Sequence, residues 1–209
     1  MFLNEEQRTD AWKLERAGKF TGSRFDDVLA RNVKTGKPLK CYDDLIWQMV
    51  VERMTQQAVE GPSGYALQWG TDVEPFGIEA YELETGNTIM PSGFIQHPDY
   101  SFIGASPDGL IGTDGGFELK CPKSSAVHLE RFLLGMPDEY RAQVQGCMFV
   151  TGRKWWDFCS YDPRMPESHR LFITRIERDD LYIKRLETAL IEAESLVQSK
   201  LSEIMQAAA

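Results

Sequence analysis

Apolar positions along the 209-residue chain recur at helical spacing near both ends and alternate with polar ones in the middle. Ala11, Leu14 and Ala17 share one helical face and Gly18 is a fitting stop, so a first short helix is expected there. Thr21 or Ser23 stands where a cap belongs for a second short helix holding Phe25, Val28 and Leu29. RNVKTGKPLK reads as a basic turn. Leu45, Ile46, Met49, Val50, Met54 and Ala58 form the stripe of a third helix from about Asp43 to Val59, and GPSG breaks the chain after it. A fourth helix is expected over much of Glu74–Glu84, with Pro75 in its first turn, where the missing N–H costs little.

Between Asn87 and Pro122 the period changes to two. Short runs (TIM, GFIQ, YSFIGAS, GLIG, GFELKC) separated by Gly, Pro and Asp predict a small, mostly antiparallel meander. Helices over about Ser125–Leu134 and Asp138–Val150 follow, then two strands, KWWDFCSY and HRLFITRI. A long helix from about Arg178 closes the chain. Its seam of Leu186, Leu190, Ala193, Val197, Leu201 and Ile204 is expected to pack within the chain rather than against a copy. Helices around a mixed sheet, α/β or α+β, is the fold class this order predicts.

Composition changes little in that picture. Hydrophobic residues make up 42% and charged residues 26%, an ordinary globular balance. The length predicts one domain over residues 1–209. No run approaches the ~18 uncharged apolar residues of a membrane span. MFLNEEQRTD carries acids where a signal peptide carries bases, which predicts a cytoplasmic protein. Cys41, Cys121, Cys147 and Cys159 are dispersed without a CxxC pair, which disfavours zinc or an iron–sulfur cluster.

Charge changes more. The net charge of −9 argues against a polyanionic partner, but its distribution does not. From Lys13 to Lys40 stand eight bases and three acids; from Ala58 to Glu118 stand ten acids and no Lys or Arg. Segregation of this kind suits a chain that grips a polyanion at one place and divalent cations at another, as well as two merely solvated faces.

The chemistry concentrates in SPDGLIGTDGGFELKCP, Ser106 to Pro122. In a strand Glu118 and Lys120 project to one face while Leu119 points to the other. The Gly-rich connection IGTDGG lets the chain return, so that Asp108 stands beside Glu118. Two carboxylates suit Mg²⁺ or Mn²⁺, which keep their remaining positions for water and phosphate oxygens. A lysine beside them orients the attacking water and offsets charge on the phosphoryl group, so the set suits phosphodiester hydrolysis. The bare spacing D-x₉-E-x-K also fits an exposed hairpin of mixed charge.

SPDG…ELKCP resembles the core of the PD-(D/E)xK nuclease superfamily, and more closely that of the phage lambda exonuclease family, the YqaJ-like viral recombinases. DAWKLERAGKFTGSRFDDVLA is similar to the family's N-terminal W…R-x-G-x-(I/V)-T-(A/G)-S motif. ALQWGTDVEPFGIEAY is similar to its W-G-x-x-x-E segment, and RAQVQGCMFVTGRKWWDFCSYDPRM to its Q-x-Q helix and following strand. The resemblance implies a restriction-endonuclease-like core, with a central mixed sheet flanked by helices. Its implied activity is that of an alkaline-type, two-metal 5′→3′ exodeoxyribonuclease. Such an enzyme degrades one strand of linear duplex DNA to mononucleotides and leaves a 3′ overhang for recombination by single-strand annealing.

Carried over residue by residue, Asp108, Glu118, the carbonyl of Leu119 and Glu74 would hold two Mg²⁺ ions, Mn²⁺ being possible in their place. Lys120 would activate water and Gln145 would reach the reacting region. Gln143, off Gln145's helical face, is assigned a structural or solvent-facing role. Arg16 and Ser23, with Ser106, would grip a 5′-terminal phosphate, and Trp12 would contact DNA. A surface ion pair is the plain alternative for Arg16, and a helix N-terminal acid for Glu74. His97, His128 and His169 receive no catalytic role, and Cys121 is expected to pack. The implied partners are duplex ends bearing a 5′-phosphate, two further copies in a toroidal homotrimer, and a single-strand annealing protein in a phage or prophage setting. A non-catalytic DNA-binding scaffold and an endonuclease of the superfamily are the rival readings. The full ligand set stands against the first, and Arg16, Ser23 and the Trp69–Gly70–Glu74 segment against the second.

Overall fold

A computed structural model describes residues 7–59 and 64–208. The expectations for the extreme N-terminus and for most of the GPSG break therefore lie outside the described residues. Five strands build the central sheet in the order β2 (Ile89–Met90), β5 (Gly109–Ile111), β6 (Gly115–Lys120), β7 (Trp155–Tyr161) and β8 (Leu171–Glu177). Within this sheet only β6 and β7 run parallel, joined by a crossover through α5 (Ser125–Leu134) and α6 (Arg141–Thr151). A smaller sheet orders β1 (Phe20–Thr21), β4 (Ile103–Ala105) and β3 (Ile95–Gln96). The mixed α/β class is as the pattern predicts.

The sheet separates two apolar layers. Trp156 and Phe158 pack with α6, α2 (Phe25–Leu29), α3 (Lys40–Thr55) and the seam of α7 (Asp180–Ala207). Phe117, Leu119, Cys159 and Tyr161, pointing to the opposite face, pack with Val73 and Tyr81 of α4 (Tyr65–Thr85). The alternation along β6 and β7 is what divides the layers. As expected, one of two adjacent tryptophans is buried: Trp156 fully, Trp155 partly. The α7 seam is also intramolecular, with Leu186, Leu190, Ala193 and Val197 in the first layer and Leu201 and Ile204 against it.

Several expectations change. α4 begins at Tyr65 rather than near Glu74, so Pro75 lies inside it. α1 (Asp10–Arg16) buries none of its residues, so its apparent stripe is not a core face. Neither Thr21 nor Ser23 caps α2: a 3-10 turn, Gly22–Arg24, leads into it and Arg24 takes the cap position without a side-chain bond. Gly115, read only as part of a connection, is a strand residue, and Gly116 lies in the strand as its run GFELKC predicts. A Cβ on Gly116 would fall 2.1 Å from the Trp156 ring, so glycine is what lets that indole lie across β6.

Candidate active site

The β5–β6 hairpin sets the register of the chemistry. Gly109 pairs with Phe117, and the ladder ends there. Asp108 continues it by other means: its Oδ2 accepts from the Leu119 N–H at 2.8 Å. N–H and C=O of one strand residue project to the same side, so the Leu119 carbonyl is directed to the edge that Asp108 occupies. Glu118 and Lys120 share the α6 face. Glu118 is 1% exposed, and its Oε1 accepts from Lys120 Nζ and, at 2.7 Å, from Gln143 Nε2. Its Oε2 is buried with no partner among the described residues.

Charge crowding marks this cluster. Burial, and next the charge of Glu118, push the Asp108 carboxyl up to about 8 against the pull of Lys120 and the Leu119 N–H, with Glu74 adding to the rise. Burial alone would lower Lys120, but Glu118 and Asp108 more than reverse it and hold the ammonium protonated well above neutral pH. Lys120 is thus a fixed positive charge. Two carboxylates, one with a buried oxygen that no described residue satisfies, and a carbonyl aimed at the same edge suit a hard divalent ion. Glu74 projects from α4 close enough for its charge to act on Asp108, but its Oε2 pairs with Arg8 Nη2 at 2.7 Å. Among the described residues no three His, Cys, Asp or Glu side chains form a ready-made cage.

The second cluster begins two residues before Asp108. Ser106 Oγ accepts from Arg16 Nη1 at 2.8 Å and from Trp12 Nε1 at 3.0 Å, and the guanidinium lies 4.2 Å from the Trp12 ring centroid. Arg16 Nη2 also reaches Thr21 Oγ1 at 3.3 Å. The surface ion pair considered for Arg16 is not found among the described residues. Burial lowers its pKa to about 10, with Glu52 working the other way, so it remains a cation. The turn behind it is pinned: Gly18 N–H donates to Glu52 Oε2 at 2.7 Å, and Arg53 Nε donates to Gly18 O at 2.8 Å while pairing with Glu194. Gly18 has φ +70, and a Cβ there would fall 2.6 Å from Arg53, so glycine is required. Ser23 is exposed on the 3-10 turn, whose Gly22 faces Gln143 and Cys147.

The two glutamines exchange roles relative to expectation. Gln143 bonds Glu118, whereas Gln145 is buried, donates to Glu177 O and accepts from Asp179 N, each at 2.8 Å. Gln145 thus ties the end of β8 to the start of α7 and does not reach the reacting region. Nearly every α6 residue from Ala142 to Val150 is buried, so the helix has no polar face from which its phase could be read. Tyr140, whose ring centroid is 5.1 Å from Lys120 Nζ, was also not singled out by the motifs. Cys121 packs against the second layer as expected, and His97 and His128 are buried. No described helix is long and apolar enough to cross a membrane.

A family model described as the YqaJ-like viral recombinase domain matches residues 11–154. The uncharacterized protein YqaJ of Bacillus subtilis (strain 168) is 26% identical over 191 residues. The match takes in 90% of this chain and 56% of that protein, so the chain spans about half its relative's length. An alkaline exonuclease from Laribacter hongkongensis, LHK-Exo, superposes with a TM-score of 0.86 at 36% identity, covering 96% of this chain and 98% of that one. The phage related exonuclease of Haemophilus somnus 129PT shares the fold, with a TM-score of 0.69 at 14% identity over 89% of this chain and 96% of that one.

Proposed function

The chain belongs to the YqaJ-like viral recombinase family, and on that premise we propose that it is a nuclease acting on DNA: a metal-dependent 5′→3′ exodeoxyribonuclease of linear duplex ends. The observation that carries this reading is the adjacency of the two clusters. The carboxylates of Asp108 and Glu118 and the serine between Trp12 and Arg16 belong to one short stretch of chain and its hairpin partner.

Arg16 is the group that grips the terminal phosphate, with Ser106 beside it and the exposed Ser23 hydroxyl as a further donor; Trp12 backs the guanidinium and meets the first nucleotide. A guanidinium fork reads the oxygens of a terminal phosphate at two points and favours it over a singly charged diester. Asp108, Glu118 and the Leu119 carbonyl would hold Mg²⁺ or Mn²⁺, with Glu74 joining for a second ion once released from Arg8. Bound there, such ions lower the pKa of water and offset charge on the phosphoryl group. Lys120, kept protonated, orients the attacking water and stabilises the phosphorane oxygens. Gln143 holds Glu118 in place and takes the role expected of Gln145. Water forms the new P–O bond, the P–O3′ bond breaks, and the 3′ oxygen leaves with a proton. The shortened strand again ends in a 5′-phosphate, so the product is a substrate for the next cut and a 3′ overhang grows. The overhang is the form that a single-strand annealing protein takes up, in a phage or prophage setting. A homotrimer closed around the duplex would keep the enzyme on its strand.

Incubating the protein with linear duplexes, 5′-phosphorylated or 5′-hydroxyl, in Mg²⁺ or EDTA tests this. Metal-dependent release of mononucleotides, faster from phosphorylated ends, is expected. Cutting of closed circles would mean an endonuclease, and binding without cutting a scaffold.

A further inference from the structure

A lysine that must hold its ammonium beside a reacting phosphate sits on a flexible stem, and Glu118 fixes it from one side only. The other side is aromatic. Lys120 Nζ stands 5.1 Å from the centroid of the Tyr140 ring, within the range where a ring face attracts a cation. The half-buried Tyr140 immediately precedes α6, which also carries Gln143, so one short segment approaches Lys120 and Glu118 together.

The ring is itself held. It lies tilted against the fully buried Phe158, with centroids 5.2 Å apart. The Arg131 guanidinium, 3% exposed, lies 5.7 Å from the same ring and 5.6 Å from Phe158. Arg131 makes no ion pair among the described residues. Its Nη1 donates to Ser160 Oγ at 2.7 Å. Ser160 pairs with Lys120 in register and shares its face of the sheet. Since Ser160 Oγ accepts from Arg131, its own proton goes to His128 Nδ1 at 2.8 Å, leaving His128 Nε2–H to donate to His169 O at 2.8 Å. Burial lowers the His128 pKa and so favours this neutral form. The Ser160 and His128 protons are thereby each committed to one direction, while Arg131 Nε–H is buried with no partner among the described residues. A buried guanidinium without a carboxylate is costly, so its retention here calls for a reason beyond packing.

We propose that Tyr140 is a positioning residue whose ring face holds the Lys120 ammonium toward the scissile phosphate, braced by Phe158 and by the Arg131–Ser160–His128 chain. Its kinetic consequence rests on the nuclease reading above; the contact itself does not. The hydroxyl is dispensable on this account and the electron density of the ring is not.

Two measurements on the full-length protein test it. In single-turnover cleavage of a 5′-phosphorylated linear duplex, Tyr140→Phe is expected to stay within about twofold of wild type. Tyr140→Leu, which removes the ring, is expected to cut about tenfold more slowly with KM for DNA unchanged. Phenylalanines bearing one, two and three fluorines at position 140 keep the shape and drain the ring face, so the rate should fall stepwise along that series. A flat series, or a Phe variant as slow as the Leu variant, would overturn the proposal. In the second measurement, lysine labelled with ¹³C at Cε is followed by NMR, with the Lys120 signal assigned from its loss in Lys120→Arg. The Lys120 methylene protons should lie upfield in wild type and Tyr140→Phe and return to the ordinary position in Tyr140→Leu. An ordinary position in wild type would overturn the contact whether or not the protein cuts DNA. An upfield signal in a protein that cuts nothing would support the contact and sink the nuclease reading instead.

Discussion

The carboxylate end of β6 and the cation pocket around Arg16 meet at Ser106, Pro107 and Asp108, but they are assembled in opposite ways. Asp108, Glu118 and Lys120 come from one hairpin, placed by strand alternation and by one bond from the Leu119 N–H to Asp108. Arg16 comes from the helix before β1 and reaches Ser106 across 90 residues of sequence, held there by the Gly18 turn that Glu52 and Arg53 clamp. The first cluster carries like charges that repel one another; the second carries a half-buried cation backed by an indole. A site whose own charges are in conflict gains from a divalent ion, whereas one with an uncompensated cation gains from an anion. The pairing of those two unmet demands is what makes a terminal phosphodiester the fitting occupant.

Breaking the anionic half should have the larger effect. Lys120→Ala removes the fixed charge beside the phosphate and should lower the cutting rate by about 10³-fold or more with DNA binding retained, measured by single-turnover cleavage and gel shift. Breaking the cationic half should be milder and selective. Arg16→Gln should slow cutting of phosphorylated ends by about 10- to 100-fold and leave hydroxyl ends nearly unchanged. Equal loss on both end types would remove the role given to Arg16.

Two finer tests sharpen the boundary between site and scaffold. Gln143→Ala should slow cutting about tenfold with little change in Tm, since it frees Glu118 from its amide. Gln145→Ala should do the reverse: it leaves Glu177 O and Asp179 N without their partner, a loss of about 1–3 kcal/mol visible in thermal melts, with the rate per folded molecule kept. A last test concerns pH. Asp108 is raised above its unfolded value, so between about pH 4 and pH 8 the folded state binds more protons than the unfolded one and metal-free stability falls as pH rises. Asp108→Asn removes that penalty. Without metal the variant should melt above wild type at pH 8, and the gap should close toward pH 4.

How much of this was legible in the sequence follows from how each part is built. Glu118-x-Lys120 in a strand needs only alternation, and Asp108 needs only a return turn, so the anionic cluster could be read from local rules. The limits of α5 were also readable, because its amphipathic run stands between clear breaks. The pocket around Arg16 became visible only through resemblance to a family motif, since no local rule brings residue 16 to residue 106. The exchange of Gln143 and Gln145 was illegible for a physical reason: a helix buried on nearly every side has no contrast between an apolar and a polar face to set its phase. Gly115 misled because glycine beside a strand usually marks a turn, while here it makes room for the ring of Trp155.

The central claim is that one divalent ion and one terminal phosphate are held side by side, the ion by Asp108 and Glu118 and the phosphate by Arg16. The most direct measurement is the anomalous signal from Mn²⁺ in crystals grown with a 5′-phosphorylated duplex. The account predicts a peak about 2.1 Å from an oxygen of each carboxylate, with the terminal phosphate on the Arg16 guanidinium. An ion bound elsewhere, or a phosphate seated away from Arg16, would contradict it.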